Sequence, residues 1–131
     1  DGVASNNNLS VLESIRLVSL LAKGISRNPR TLSVNDAFEI ATYNGAQALG
    51  FNNVGKIREG FKADIILVDK NSVNFTPMFS PFANVIYSMY SNDVDTVIIN
   101  GELIMQERKI LTVDEEIVKK EFLKYIKELY S

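Results

Sequence analysis

V-D-T-V-I-I-N-G-E-L-I-M, residues 94–105, decides the fold of the strand-bearing part of the chain. Two apolar runs rich in β-branched residues flank Asn100-Gly101, the dipeptide that best tolerates the positive φ angles required at both central positions of a type I′ turn. The pattern predicts an antiparallel hairpin over 94–99 and 102–105, with a further strand over 109–111 continuing it as a meander. Upstream, Ile65-Ile66-Leu67-Val68 is an apolar run bounded by Asp64 and Asp69, short and β-branched enough for a buried strand.

Helical patterns lie on both sides of this zone. Over 9–23, Val11, Leu12, Ile15, Val18, Leu21 and Ala22 recur at three- and four-residue intervals, Ser10 and Glu13 fit a capping box, and Gly24 ends the pattern. Leu17 and Leu20 widen the apolar stripe, as expected of a helix pressed against a large core. Ser33 is a good N-cap for a second helix with Asp36 in its first turn and Val34, Phe38 and Ala41 on one face. Asn44-Gly45 predicts a kink or interruption, and a short helical piece over 46–49 stops at Gly50. The loop over 76–82 is apolar and punctuated by Pro77 and Pro81, and is expected to pack, with a short helix over 83–89 after it. The last helix starts at Thr112-Val113-Asp114-Glu115, read as a capping box, and carries Ile117, Val118, Phe122, Tyr125, Ile126 and Leu129 on one face.

Composition narrows the chemistry. The 131 residues are 46% hydrophobic and 23% charged, the make-up of a globular chain rather than a disordered one. A net charge of -2 gives no electrostatic footprint for phosphate backbones or anionic membranes, so neither nucleic acid nor membrane is an expected partner. The chain has neither cysteine nor histidine, which excludes a self-contained zinc hydrolase or a Ser-His-Asp enzyme. It opens on Asp1-Gly2 with no initiator methionine and no charged-then-apolar leader, which reads as a processed or truncated, cytoplasmic chain.

Most polar residues need no chemistry. Asp64 and Asp95 at strand starts read as turn or backbone-bonding residues, and the lysines at 119, 120, 124 and 127 as a solvated helix face suited to the helix dipole. Tyr87 and Tyr90, three apart, read as core residues sharing a helix face. Gly55 and Gly60 form no phosphate loop, because no G-K-[ST] follows. The exception is D-G-V-A-S-N-N-N, residues 1–8, an acid beside a polar turn immediately before a helix. On composition alone Asp1 is a chain-end or loop residue.

Four blocks, D-G-V-A-S-N-N (1–7), A-T-Y-N-G-A-Q-A-L-G (41–50), G-K-I-R-E-G-F-K-A-D-I-I-L-V-D (55–69) and D-V-D-T-V-I-I-N-G (93–101), occur in an order and at distances that are specific together. In these blocks the chain resembles the C-terminal part of amidohydrolase-superfamily enzymes. The branch it is most similar to holds the methylthioadenosine/S-adenosylhomocysteine deaminases and triazine chlorohydrolases.

The resemblance implies an α+β fragment. The last outer helices of a TIM (β/α)8 barrel over 1–51 would precede the C-terminal half of a composite β-sandwich over 52–113, and a C-terminal helix would fill 114–131. It also implies a parent enzyme that uses one divalent metal, zinc or iron, to deaminate a purine nucleoside or related aminated heterocycle. Asp1 would be both metal ligand and catalytic proton shuttle, at the face where barrel enzymes carry their chemistry. Asn6 and Asn7 would shape the substrate loop. The family's histidine ligands would lie before Asp1, so the fragment alone is expected to bind no metal and to be inactive. Its partners would be the missing N-terminal portion of the same chain and, through exposed apolar faces and open strand edges, further copies in a homo-oligomer or swapped assembly. A stand-alone β-rich interaction module is a second reading, and a third keeps the family but changes the reaction to dechlorination or to another C–N hydrolysis, of an amide or a ring.

Overall fold

The computed structural model describes Ser5 and residues 7–130. Helices α1 (Val11–Ser26), α2 (Val34–Glu39) and α3 (Gly45–Ala48) precede strand β1 (Ile65–Val68). Helix α4 (Pro81–Tyr87), strands β2 (Val94–Ile99), β3 (Glu102–Gln106) and β4 (Lys109–Ile110), and helix α5 (Glu115–Leu129) follow. The sheet runs β1-β2-β3-β4, antiparallel throughout, and α4 lies in the long connection from β1 to β2.

The hairpin forms as its sequence requires. Asn100 and Gly101 take φ of 52° and 83°, the positive pair of a type I′ turn, and Ile99 pairs with Glu102 across them. The next turn repeats the conformation without glycine: Glu107 and Arg108 have φ of 50° and 62°. Long-range bonds hold it, since the Arg108 N–H donates to the Asp95 carbonyl at 2.9 Å and its guanidinium to the Asn92 carbonyl at 3.3 Å. β1 sits where the apolar run placed it, but it is not buried. It is an edge strand whose Ile66 and Leu67 are 47% and 52% exposed. The four-residue run encodes a strand covered on both faces, and the described residues supply cover on only part of it.

Helix boundaries show which local signals win. α1 continues through Gly24 to Ser26 and ends at Arg27 in the left-handed conformation, whose N–H bonds the Gly24 carbonyl. One exposed glycine costs a helix only about 1 kcal/mol, too little to stop a well-packed one. The Ser33–Asp36 pair closes a reciprocal capping box at the start of α2. Asn44-Gly45 does not turn the chain. Both residues stay right-handed helical, and a π-helical turn over Ile40–Asn44 carries α2 directly into α3. A Cβ on Gly45 would lie 2.8 Å from the Ile40 carbonyl oxygen, so close approach explains this glycine. Bonds from Gly50 N to Gln47 O and from Phe51 N to Ala46 O then close a Schellman motif.

α4 begins at Pro81, with Ser80 as N-cap, and ends at Tyr87. Tyr90 therefore lies beyond the helix, not on a face shared with Tyr87. The preceding loop is less packed than its apolar sequence implies, with Phe79 91% exposed. α5 is capped by Asp114, which accepts from the N–H groups of Glu116 and Ile117, rather than by Thr112. An ionised carboxylate at the positive end of the helix prevails over a threonine two residues earlier.

The core is small and lies between helices. Ile15 of α1, Ala37 of α2 and Ile86 of α4 are buried together, with Leu32, Val34, Phe38, Ala41 and Tyr87 around them. Phe38 and Phe82 meet edge to face, 4.8 Å between ring centroids. The rest of the α1 stripe, Leu17, Val18, Leu20 and Leu21, faces outward in this chain, as do Ile117, Val118, Phe122 and Leu129 of α5. The architecture is thus a mixed helix and strand arrangement around a small antiparallel sheet.

Candidate functional site

Of the three residues expected to carry chemistry, Asp1 and Asn6 lie outside the described residues, and Asn7 is exposed in a bend leading into α1. Asn8 fastens that segment to the helix. Its side-chain oxygen accepts the Ser10 N–H at 2.9 Å and its amide donates to the Glu13 carboxylate, while Ser10 Oγ accepts the Glu13 N–H at 3.3 Å. The capping box expected of Ser10 and Glu13 is therefore half formed. Glu13 binds Asn8 instead of the Ser10 N–H, which Asn8 satisfies in its place, so one extra residue of the loop is locked to the helix.

Behind this cap, α1 meets α4 along a polar seam. Arg16 Nε donates to the Ile86 carbonyl at 3.2 Å and its Nη2 to the Met89 carbonyl, and the guanidinium lies 4.8 Å from the Tyr90 ring centroid. About one turn on, Ser19 is fully buried with its Oγ 2.6 Å from the Tyr87 hydroxyl. Lys23 Nζ donates to Ser19 Oγ at 2.9 Å and to the Leu32 carbonyl at 2.8 Å. Burial pushes the Tyr87 hydroxyl up, but hydrogen bonds with Lys23 and Ser19 and the lysine's charge outweigh it and hold the group below the usual tyrosine value. The sequence signal was a serine four residues after Ile15 on the inner face of an amphipathic helix, where a buried hydroxyl needs a partner.

The third feature is Asp93, first residue of the D-V-D-T-V-I-I-N-G block and buried. Its carboxylate accepts from Ser72 Oγ, from Asn74 Nδ2 at 2.8 Å and from the Tyr90 N–H at 2.8 Å. Burial alone would raise its pKa; these donors, with Arg108 nearby, hold it below the ordinary carboxylate value. Asp93 thereby pins the start of β2 to the turn after β1. Asp64 is the backbone-bonding residue expected, accepting the Asn100 N–H at 2.6 Å, whereas the Asp95 carboxylate accepts from the Thr96 hydroxyl at 2.8 Å and only its main-chain carbonyl takes the Arg108 N–H.

A groove of about 660 Å³ separates α2 and the π-helical turn from β1, lined by Phe38, Thr42, Tyr43, Lys56, Ile66 and Phe82 among others. Lys56 Nζ lies 3.6 Å from the Tyr43 ring centroid on one wall. Gly55 is required beside it, because with φ of 83° a Cβ there would come within 2.7 Å of Tyr43 Cα. The described residues do not fit a metal by themselves. Among them no three His, Cys, Asp or Glu side chains converge, and the sequence offers no imidazole or thiolate.

Comparison with known proteins identifies the family. The family model described as the amidohydrolase family matches residues 1–104. The chain belongs to the amidohydrolase family. A 5-methylthioadenosine/S-adenosylhomocysteine deaminase of Dictyoglomus thermophilum is 50% identical over 116 residues, 88% of this chain and 27% of the relative. A crystal structure of an adenosine deaminase from Xanthomonas campestris with bound zinc superposes on 99% of this chain with a TM-score of 0.92 at 27% identity, using 30% of its own length. Atrazine chlorohydrolase from Arthrobacter aurescens, also in complex with zinc, covers 92% of the chain at a TM-score of 0.83 and 25% identity, using 27% of its length. This amidohydrolase segment thus spans less than a third of each of these proteins. No helix among its described residues is long and apolar enough to cross a membrane.

Proposed function

We propose that this amidohydrolase chain is the C-terminal share of a metal-dependent deaminase acting on 5-methylthioadenosine, S-adenosylhomocysteine or a closely related purine nucleoside. The observation that carries the reading is the 50% identity to a deaminase of that name across 88% of the chain. The chlorohydrolase likeness is weaker in sequence, at 25% identity, and favours deamination over dechlorination by comparison.

In this reading residues 1–51 end a barrel, 52–113 complete a β-sandwich begun by the preceding part of the longer chain, and 114–131 form a terminal helix. The open β1 edge and the outward Leu17, Leu20 and Leu21 of α1 support it, since such surfaces are normally covered. Zinc or iron would be held largely by residues outside this segment, as the donor set here requires. Such a metal would supply Lewis acidity that lowers the pKa of the attacking water. Asp1 is the carboxylate this chain would contribute: it would help hold the metal, take a proton from the attacking water and return it to the leaving nitrogen. Asn6 and Asn7 shape the substrate side of the loop that Asn8 ties to α1. The 131-residue segment alone binds no metal and turns over no substrate.

Ammonia release from the two nucleosides by the full-length protein, with the segment alone as comparator, tests the reading. Activity in the former and none in the latter supports it. Activity of the isolated segment, or none in a folded, metal-loaded full-length protein, refutes it.

A further inference from the structure

The Arg16 guanidinium occupies a position that packing alone does not explain. Ile86 and Met89 are both buried, and their carbonyls stand at and just past the C-terminal end of α4, where helix carbonyls lack intrahelical partners. Arg16 reaches both from α1 while lying over the Tyr90 ring. A planar fork with several donors can span two carbonyls; a lysine ammonium is a point donor that cannot hold the same pair in one fixed geometry. One helical turn before Arg16, on the same side of α1, Glu13 holds the amide of Asn8, the last residue of the loop. On the far side, the Tyr90 N–H is fixed by the Asp93 carboxylate, which also anchors Ser72 and Asn74. Contacts therefore run without a gap from Asn8 through Glu13, α1 and Arg16 to Tyr90, Asp93 and the start of β2.

We propose that Arg16 is a positioning residue for substrate binding, clamping the first turns of α1 to the α4 end so that the Asn7–Asn8 side of the loop is held in register with the sheet. The inference rests on the proposed reading that this loop borders the substrate, and it deepens that reading by naming what fixes the loop. Arg16 itself contacts backbone carbonyls and a ring, not reacting atoms.

The test is steady-state kinetics of the full-length protein on 5-methylthioadenosine, with metal content measured for every variant. Wild-type turnover comes first, because its absence refutes the deaminase reading itself and leaves Arg16 no site to position. With wild type active, Arg16→Met is expected to raise KM about tenfold with kcat within about twofold, since a displaced binding loop loses contacts made equally in ground and transition states. Arg16→Lys is expected to restore part of the KM. Asn8→Ala, which severs the other end of the same run of contacts at an exposed position, is expected to raise KM in the same direction and serves if Arg16→Met does not fold. A role in folding alone gives the opposite split: kcat falls with the active fraction and KM stays at the wild-type value. KM unchanged in the folded variants overturns the proposal.

Discussion

The hydroxyl oxygens of Ser19 and Tyr87 lie 2.6 Å apart, joining α1 to α4 across 68 residues of sequence. Ser19 is fully buried, and Lys23 donates to the same oxygen, so this contact joins the Arg16 bonds in a polar seam beside the apolar packing of Ile15 and Ile86. Such a contact fixes register in a way that interchangeable aliphatic packing does not.

Removing one partner should therefore cost more than the lost contact. Tyr87→Phe keeps the ring but leaves Ser19 Oγ with Lys23 alone, and is expected to destabilise the fold by about 1–2 kcal/mol. Urea denaturation with an unchanged slope checks it.

Asp93 should make the fold acid-sensitive. Its folded pKa lies below the ordinary carboxylate value, so the native state binds fewer protons than the unfolded chain between the folded and unfolded values. The resulting stability is fully present above the unfolded value and is lost as pH falls through the folded one. Asp93→Asn should flatten this limb. At neutral pH it should also cost about 1–3 kcal/mol, because an amide cannot accept from Ser72, Asn74 and Tyr90 as a carboxylate does. Urea midpoints across the acid range for both proteins read the difference.

Two glycines with φ of 83° should respond differently to alanine. At Gly101 nothing lies within 4 Å of the added Cβ, so Gly101→Ala should cost only backbone strain, about 1–2 kcal/mol. At Gly55 the Cβ meets Tyr43 Cα at 2.7 Å and its N at 2.8 Å, adding a backbone clash to the same strain. Gly55→Ala should be the more destabilising by several kcal/mol, about the scale reserved for strain that the fold cannot relax. Thermal melts of the pair decide it.

Much of the fold was legible because its signals are local. Asn100-Gly101 dictates its own turn, and Ser33 finds Asp36 within one turn of helix. The turn at Glu107-Arg108 was not legible, because its left-handed residues are stabilised by Asp95 and Asn92, which only the folded sheet brings near. Asn44-Gly45 marks an interruption of a different kind from a turn: the α-helix gives way to a π-helical turn over Ile40–Asn44, and the close approach of the Ile40 carbonyl reserves position 45 for glycine. At the site, the motif containing Asp1 was readable as a resemblance, whereas Arg16, Ser19 and Asp93 emerge only when α1, α4 and β2 converge. Ile66 and Leu67 of β1 read as buried in sequence because their side chains are apolar, yet the described residues leave both about half exposed.

The apolar face of α5 should govern how the isolated segment behaves in solution. Phe122, Leu123 and Leu129 are about 60% exposed on one helix, and faces of this kind drive association. Sedimentation of the 131-residue segment should show concentration-dependent self-association that Phe122→Glu weakens. A monomer at all concentrations would contradict this.

The most direct measurement is ammonia release from 5-methylthioadenosine by the full-length amidohydrolase and its Asp1→Asn variant, each with metal content determined. The expected result is turnover by the wild type and a loss of about 10²–10⁴-fold in kcat for the variant, the range associated with a general acid–base group. Turnover unaffected by Asp1→Asn, or faster release of chloride from a chlorinated triazine than of ammonia from the nucleoside, would contradict it.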